Sequence, residues 1–151
     1  KVVLMLDEMG SKNNARAWLE ERLSRKQVVW GMGHREYSTK DPRANILTEM
    51  VKDLFKEQSG KVSDMFEKAM ELEKACEEKL AKKGVYANVD FYSGILYKEI
   101  GIPVDLFTPI FAISRTSGWL AHWIEQVSNN KIFRPTQIYT GHNNRKYNSK
   151  G

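Results

Sequence analysis

The spacing of apolar residues after Asp41-Pro42 constrains the fold more than any other feature of the chain. Aspartate is a favourable N-cap and proline is pre-set for the first helical position, so this pair predicts the start of a helix. Apolar side chains then recur at intervals of three and four positions, which places them on one helix face. They are Ile46, Leu47, Met50, Val51, Leu54 and Phe55. We therefore expect an amphipathic helix that ends near Gly60.

The same period recurs along most of the sequence. It predicts helices over 1–9, 15–23, 64–80 and 88–100, and two more beginning near 103 and at 108. Asp64 and Glu67 have capping-box spacing, before what we expect to be a long surface helix, and Asn88 or Asp90 can cap the next one. No N-cap residue precedes Lys1, so the chain is expected to begin inside a helix. Strand patterns are scarce, which predicts an all-α fold with short loops.

Composition narrows the class of protein. A chain of 151 residues with 41% hydrophobic content can form one domain with a real core. No apolar run reaches the roughly 20 residues of a membrane span, and no signal peptide is evident. We expect no membrane partner and a cytoplasmic location. The single cysteine, Cys76, excludes an internal disulfide and is expected in the core.

A net charge of +5 is compatible with a protein that binds nucleic acid. Basic residues are, however, spread along the predicted helices and interleaved with glutamate, and only 145–150 forms a basic tail. We expect no nucleic-acid partner, because anionic small molecules explain the charge equally well. A non-catalytic helical binding module remains an alternative at this point.

A glycine-flanked histidine follows the second predicted helix. The apolar run 28–30 leads into Gly31, Met32, Gly33 and His34. The imidazole can be presented at a loop rim as a hydrogen-bond donor or an acid, although for this histidine taken alone a structural role is the preferred interpretation. The glycine spacing begins a dinucleotide fingerprint, but Glu36 stands where the third glycine should be, which excludes that fold. Backbone N–H groups of such a loop can still bind a phosphate or an adenine edge.

Three charged residues are candidates for binding or catalysis. Arg43 lies in the first turn of the helix that begins at Asp41-Pro42, where an anion is favoured, although a surface salt bridge would explain it too. Arg115 lies within the apolar run 110–119, so we expect it to be buried with an anionic partner. The aromatic neighbours of Asp90 are compatible with a role as a base, but from these residues alone a plain N-cap aspartate is the preferred interpretation.

The sequence predicts no metal site. His122 and His142 lack metal-ligand spacing, and His122 is expected to serve packing. Zinc-protease, paired-cysteine, phosphate-loop and serine-hydrolase motifs are all missing from the sequence.

Five motifs, taken in chain order, resemble those of citrate synthase. They are Gly31-Met32-Gly33-His34-Arg35-x-Tyr37, Asp41-Pro42-Arg43-Ala44, Asn88-Val89-Asp90-Phe91-Tyr92-Ser93-Gly94, Ser114-Arg115, and Phe133-Arg134-Pro135 with Tyr139-Thr140-Gly141. The short loops are similar to those of the bacterial and archaeal enzymes, including 2-methylcitrate synthases. The resemblance covers nearly the whole chain. It implies a small helical domain over 1–127 and an extended tail over 128–151 that packs on a large domain or a partner subunit.

The resemblance also implies an activity, the condensation of acetyl-CoA with oxaloacetate to give citrate and CoA. Asp90 would be the base and His34 the donor that polarises the ketone. Arg43 and Arg115 would hold the oxaloacetate carboxylates, and Arg134 a substrate carboxylate in the neighbouring subunit. The residues expected against CoA are Val28, Trp30, Gly31, Met32, Gly33, Arg35 and Asn88, with Lys26 and Lys40 as weaker candidates for its phosphates. The family binds no permanent cofactor, and the full-length protein would be a homodimer.

Two departures limit what the resemblance implies. Glu36 and Ser38 stand where the family commonly has an apolar and a basic residue, which would weaken phosphate contact. The second catalytic histidine of the family lies in a motif upstream of the helix that begins at Lys1, so we expect this piece to be inactive by itself. Propionyl-CoA in place of acetyl-CoA, as in 2-methylcitrate synthase, remains an alternative.

Overall fold

The computed structural model describes residues 1–58, 62–132, 134, 136 and 138–146, without the side chains of 57 and 58. Six α-helices account for most of this part of the chain: α1 (Val2–Met9), α2 (Ala15–Ser24), α3 (Pro42–Gln58), α4 (Asp64–Leu80), α5 (Val89–Glu99) and α6 (Phe107–Ser128). Short 3₁₀ turns occupy Lys12–Asn14, Ala81–Lys83 and Val104–Leu106. The described residues contain no β-strand, only one isolated antiparallel bridge between Met32 and Ala87. The all-α prediction is confirmed.

Helix starts follow the local hydrogen bonds. The Asp41 carboxylate accepts the Arg43 N–H at 2.9 Å, which confirms the predicted start of α3. At α4 the hydroxyl of Ser63 accepts the Phe66 N–H at 3.2 Å, so the capping box assigned to Asp64 is wrong. Ser63 is the cap because it has the extended backbone that precedes a helix. Gly60, the expected end of α3, lies outside the described residues.

The segment after residue 100 differs from the prediction of two helices. Only the 3₁₀ turn Val104–Leu106 precedes a single long helix, α6. Pro109 does not interrupt α6 because it is the third helical residue, where a backbone N–H has no intrahelical partner to lose.

Two compact units divide the chain, Lys1–Phe111 and Ala112–Gly151, with the boundary inside α6. In the first unit α4 packs against α1, α2 and α5. Nine residues of α4 are buried, so α4 is more enclosed than the surface helix we expected. Cys76 is among them, which confirms its place in the core. The division at residue 127 between a small domain and a tail stays a prediction.

Helix α6 has no buried residue. Its exposed large apolar side chains are Ile113, Trp119, Leu120, Trp123, Ile124 and Val127. Within the described part of the chain, no helix has both the length and the hydropathy needed to cross a bilayer.

Candidate active site

The loop that carries His34 is fastened to the segment that enters α5. Gly33 donates its N–H to the Tyr86 carbonyl at 2.7 Å, and Asn88 donates its N–H to the Gly31 carbonyl at 2.9 Å. The bridge between Met32 and Ala87 lies between these two bonds. The histidine loop and the start of α5 are therefore built as one element.

Gly31 allows this close approach. Its φ is +84°, a conformation that side chains disfavour, and a Cβ there would lie 2.8 Å from Phe91 Cδ2 and 2.9 Å from Phe91 Cα. Only glycine fits without displacing the first turn of α5.

Asn88 joins the loop and the helix with both ends of its amide. The side-chain oxygen accepts the Asp90 N–H at 2.9 Å, and the side-chain nitrogen donates to the Gly33 carbonyl at 2.8 Å. Of the two predicted caps for α5, Asn88 is therefore the one used. Its contact with CoA stays a prediction, and the structure adds an internal role that the motif did not reveal.

His34 is exposed, and its ring stacks on Tyr37 with the centroids 4.4 Å apart. Its Nδ1 lies 3.0 Å from the Glu36 N–H nitrogen and 3.1 Å from that of Tyr37, in acceptor geometry. A nitrogen that accepts two N–H groups carries no proton, which assigns the proton of the neutral imidazole to Nε2. Nε2 is then the atom available to donate a hydrogen bond to a ligand.

The Asp41 carboxylate binds one edge of the Arg43 guanidinium. The Asp41 carboxylate accepts Arg43 Nε at 3.0 Å and Nη2 at 2.8 Å. Hydrogen bonding from Arg43 holds the pKa of Asp41 below its usual range although burial opposes this, and the Val89 N–H adds to the lowering. Nη1 of Arg43 has no hydrogen-bond partner within the described part of the chain, and the side chain is 42% exposed. One side of the guanidinium can therefore receive an anion.

Asp90 lies near Arg43 at the exposed start of α5. The pKa of Arg43 is raised chiefly by its hydrogen bond to Asp41, with smaller contributions from the charges of Tyr37 and Asp90. Because Tyr37 stacks on His34, these electrostatic interactions place an imidazole donor, a cation and a carboxylate around one exposed region of the first unit. Asn88 caps the helix, so the carboxylate of Asp90 is not used for capping.

The residues predicted to contact CoA differ in exposure. Val28 is 58% exposed and Trp30 is 37% exposed, with Lys1 Nζ 4.0 Å from the centre of the indole ring. Lys26, Arg35, Glu36 and Ser38 are exposed, and Gly31, Met32, Gly33 and Asn88 are partly buried. Lys40 instead pairs with Glu73 on α4, with Nζ and Oε1 2.7 Å apart. Of the two weaker phosphate candidates, Lys40 is thus already paired within the chain.

The remaining predicted site residues lie in the second unit. Arg115 is exposed, so the prediction of burial is wrong, because α6 presents its apolar residues without a covering layer in this chain. Arg134 is also exposed, and its motif partners Phe133 and Pro135 lie outside the described residues. His122 is 84% exposed and contacts Glu125, so its predicted packing role is wrong too.

Sequence reasoning missed a buried polar cluster behind the site. Glu73 connects Lys40 to Tyr92, whose hydroxyl donates to Glu73 Oε2 at 2.5 Å. A shallow cavity of about 410 Å³ is lined in part by these three residues. Glu73 lies four positions after Ala69 and three before Cys76, so it shares their apolar helix face. A carboxylate on this face was the sequence signal that could have predicted the cluster. Among the described residues, no cluster of three His, Cys, Asp or Glu side chains could hold a metal.

Comparison with known proteins identifies the family. The model of the citrate synthase C-terminal domain matches residues 1–136. The citrate synthase of Acidithiobacillus ferridurans is 52% identical over 147 residues, which cover 97% of this chain and 38% of that protein. The crystal structure of the Thermotoga maritima enzyme superposes with a TM-score of 0.76 at 39% identity, covering 97% of this chain and 39% of the other.

A second structure is that of the Thermoplasma acidophilum enzyme in a ternary complex with carboxymethyl coenzyme A and oxaloacetate. It matches with a TM-score of 0.78 at 35% identity, again over 97% of this chain and 39% of that one. The chain thus spans under two-fifths of the length of these relatives. A family model that covers nine-tenths of the residues, together with relatives of this identity, shows that the chain belongs to the citrate synthase family.

Proposed function

We propose that this chain is the C-terminal part of an enzyme that condenses acetyl-CoA with oxaloacetate to give citrate and CoA. The observation that carries the proposal is a group of three side chains in the first unit: a neutral imidazole donor, an arginine whose Nη1 is available to a ligand, and a carboxylate that does not cap its helix. His34, Arg43 and Asp90 supply these groups.

In the proposed reaction the Asp90 carboxylate removes a proton from the methyl group of acetyl-CoA. The resulting enol carbon forms a bond to the ketone carbon of oxaloacetate, and the ketone oxygen takes up the negative charge. Nε2–H of His34 donates a hydrogen bond to that oxygen and stabilises the charge as it develops. The alkoxide then takes up a proton from solvent, and Asp90 releases to solvent the proton that it removed. Water cleaves the citryl thioester, releasing citrate, CoA and a proton.

The arginines would hold the two carboxylates of oxaloacetate. Arg43 offers Nη1 beside the donor and the base, and guanidinium groups suit carboxylates because they provide paired donors in one plane. Arg115 and Arg134 are the proposed further ligands. Their roles, like a homodimer in which Arg134 reaches the neighbouring subunit and a cytoplasmic location, rest on the family resemblance.

The CoA part of the substrate would lie along 28–33. Val28 and Trp30 offer exposed apolar surface for an adenine, and the partly buried glycine loop offers backbone polar groups. Arg35 would then lie at the phosphates. No permanently bound cofactor is proposed.

The experiment that tests the activity is Asp90→Asn in the full-length protein. Loss of the base should lower kcat by about 10²–10⁴-fold, because this is the range general-base catalysis contributes. Asp53→Asn is the matched control, since Asp53 lies on α3 in an exposed ion pair with Lys56. Unchanged turnover in the Asp90 variant would contradict the proposal and favour a non-catalytic helical module.

The acyl group is a separate question within the same assay. We propose acetyl-CoA because the compared relatives are named citrate synthases. A higher kcat/KM with propionyl-CoA than with acetyl-CoA would replace this choice by 2-methylcitrate synthesis and leave the roles of the site residues unchanged.

A further inference from the structure

Asp41 is a buried carboxylate to which the proposed chemistry gives no role. Its exposure is 1%, and it lies where the starts of two helices meet. Its carboxylate caps α3 by accepting the Arg43 N–H, and its own N–H donates to the Ala87 carbonyl at 3.4 Å, just before α5. Serine and asparagine cap a helix as well as aspartate does, so the cap of α3 by itself does not require a carboxylate at this position.

The carboxylate does more than cap, because it also binds the side chain of Arg43. The contacts to Nε and Nη2 use one whole edge of the guanidinium and leave Nη1. An arginine side chain has many rotamers, and holding it in one of them before a ligand arrives lowers the entropy cost of binding.

The same residue lies against the start of α5. Its N–H donates to the Ala87 carbonyl at 3.4 Å, the Val89 N–H contributes to lowering the pKa of its carboxyl, and Asp90 follows Val89 along the chain. One buried residue therefore lies between the arginine on α3 and the helix turn that carries the Asp90 carboxylate.

We propose that Asp41 is a positioning residue that holds the Arg43 guanidinium in a fixed orientation relative to Asp90, with Nη1 preset for a substrate carboxylate. The inference rests on the proposed function, which makes Arg43 a ligand of oxaloacetate. It adds that the affinity of Arg43 for that ligand depends on a residue that does not touch it.

The test is Asp41→Ser and Asp41→Asn in the full-length enzyme, with Asp53→Asn as control. Serine and asparagine still cap a helix, so both variants retain the start of α3. Serine loses the clamp on Arg43, and asparagine loses the half of it that binds Nη2, because its amide nitrogen cannot accept a hydrogen bond. We expect KM for oxaloacetate to rise by about 10-fold or more, and KM for acetyl-CoA to change by less than about 2-fold. A smaller folded fraction lowers the maximal rate without changing KM, so the melting temperature and KM separate structural damage from lost positioning.

A double variant shows whether Asp41 acts through Arg43. In an Arg43→Gln background, Asp41→Ser should cause no further rise in KM for oxaloacetate, because the group it positions is already gone. An unchanged KM in both Asp41 variants, or an equal rise in the Arg43→Gln background, overturns the inference. If Arg43→Gln alone leaves KM for oxaloacetate unchanged, the assignment of Arg43 in the proposed function fails instead.

Discussion

The tautomer of His34 is set by two backbone N–H groups, those of Glu36 and Tyr37. Both point at Nδ1, so the ring donates from Nε2. A hydrogen-bond donor of this kind can stabilise an oxyanion without first giving its proton away. The local turn thereby identifies Nε2–H as the group that either role left open by the sequence, donor or acid, would use.

At Gly31 we predict that Gly31→Ala destabilises the protein by about 2–5 kcal/mol. The substitution adds left-handed backbone strain and a contact with Phe91 that requires α5 to shift. Gly10→Ala is the control, because Gly10 has a φ of +76° and nothing within 4 Å of a Cβ, so only strain remains. Denaturant unfolding of both variants measures the difference. Equal losses would show that the approach of Phe91 to Gly31 is unimportant.

At Asp41 we predict a pH-dependent contribution to stability. The folded-state pKa is lowered by the bonds from Arg43, so the stabilisation is complete above the unfolded value of about 3.9 and is lost as pH falls through the folded pKa. The difference in unfolding free energy between wild type and Asp41→Asn should be largest above about pH 5 and shrink below about pH 4. Urea unfolding across this range measures it. A difference independent of pH would mean that the charge of Asp41 does not stabilise the fold.

At the scale of the helices, apolar spacing predicts which segments are helical. In α1 to α5 this spacing marks a buried face, whereas α6 has no buried residue. The ends are less predictable because neighbouring polar residues compete for the same N–H groups. Ser63 caps α4 although Asp64 has the expected spacing, and Asn88 caps α5 although Asp90 also qualifies. Pro109 lies in the first turn of α6, close to the predicted start at 108, whereas the helix expected from near 103 is only a 3₁₀ turn.

Glu73 on α4 contacts two neighbouring segments. It pairs with Lys40, the residue before Asp41, and accepts a hydrogen bond from Tyr92 on α5. Burial, followed by the negative charge of Glu73, raises the pKa of Tyr92, so the phenol stays a neutral donor to that carboxylate. We predict that Glu73→Gln lowers the free energy of unfolding by about 1–3 kcal/mol, because Lys40 loses its partner and Tyr92 a charged acceptor.

Glu78→Gln is the control for Glu73→Gln, since Glu78 pairs with Arg16 at the surface and should contribute little. Thermal and denaturant unfolding of the two variants make the comparison. A loss in the Glu78 variant as large as that in the Glu73 variant would contradict the importance of the buried contacts.

At the scale of the whole molecule, the order of motifs along the chain was enough to indicate the family, because each motif carries residues with a chemical use. The environment of α6 was not predictable in the same way. An apolar run around Arg115 implied a buried arginine, but burial depends on what covers the helix, and the spacing of one helix contains no information about its neighbours.

We predict that the 151-residue chain assayed alone has no measurable synthase turnover. It spans 38% of the length of the Acidithiobacillus ferridurans relative. The family resemblance implies a second catalytic histidine, and it is not among the five motifs of this chain. A coupled assay of free CoA release, run on the chain and on the full-length protein at equal molar concentration, tests this. Turnover by the chain comparable to that of the full-length protein would show that His34 and Asp90 need no further catalytic group.

The hydrogen bonds of Asn88 also have a mechanical consequence. Its backbone and side chain connect the loop of His34 to the first turn of α5 at Gly31, Gly33 and Asp90. We therefore expect any motion of this unit to carry His34 and Asp90, the proposed donor and base, together while both approach a substrate. A single movement of this unit towards the substrate is then enough to bring both side chains into place. A mutation that breaks the hydrogen bonds of Asn88 lets the loop of His34 and the start of α5 move independently, so that two movements have to be coordinated.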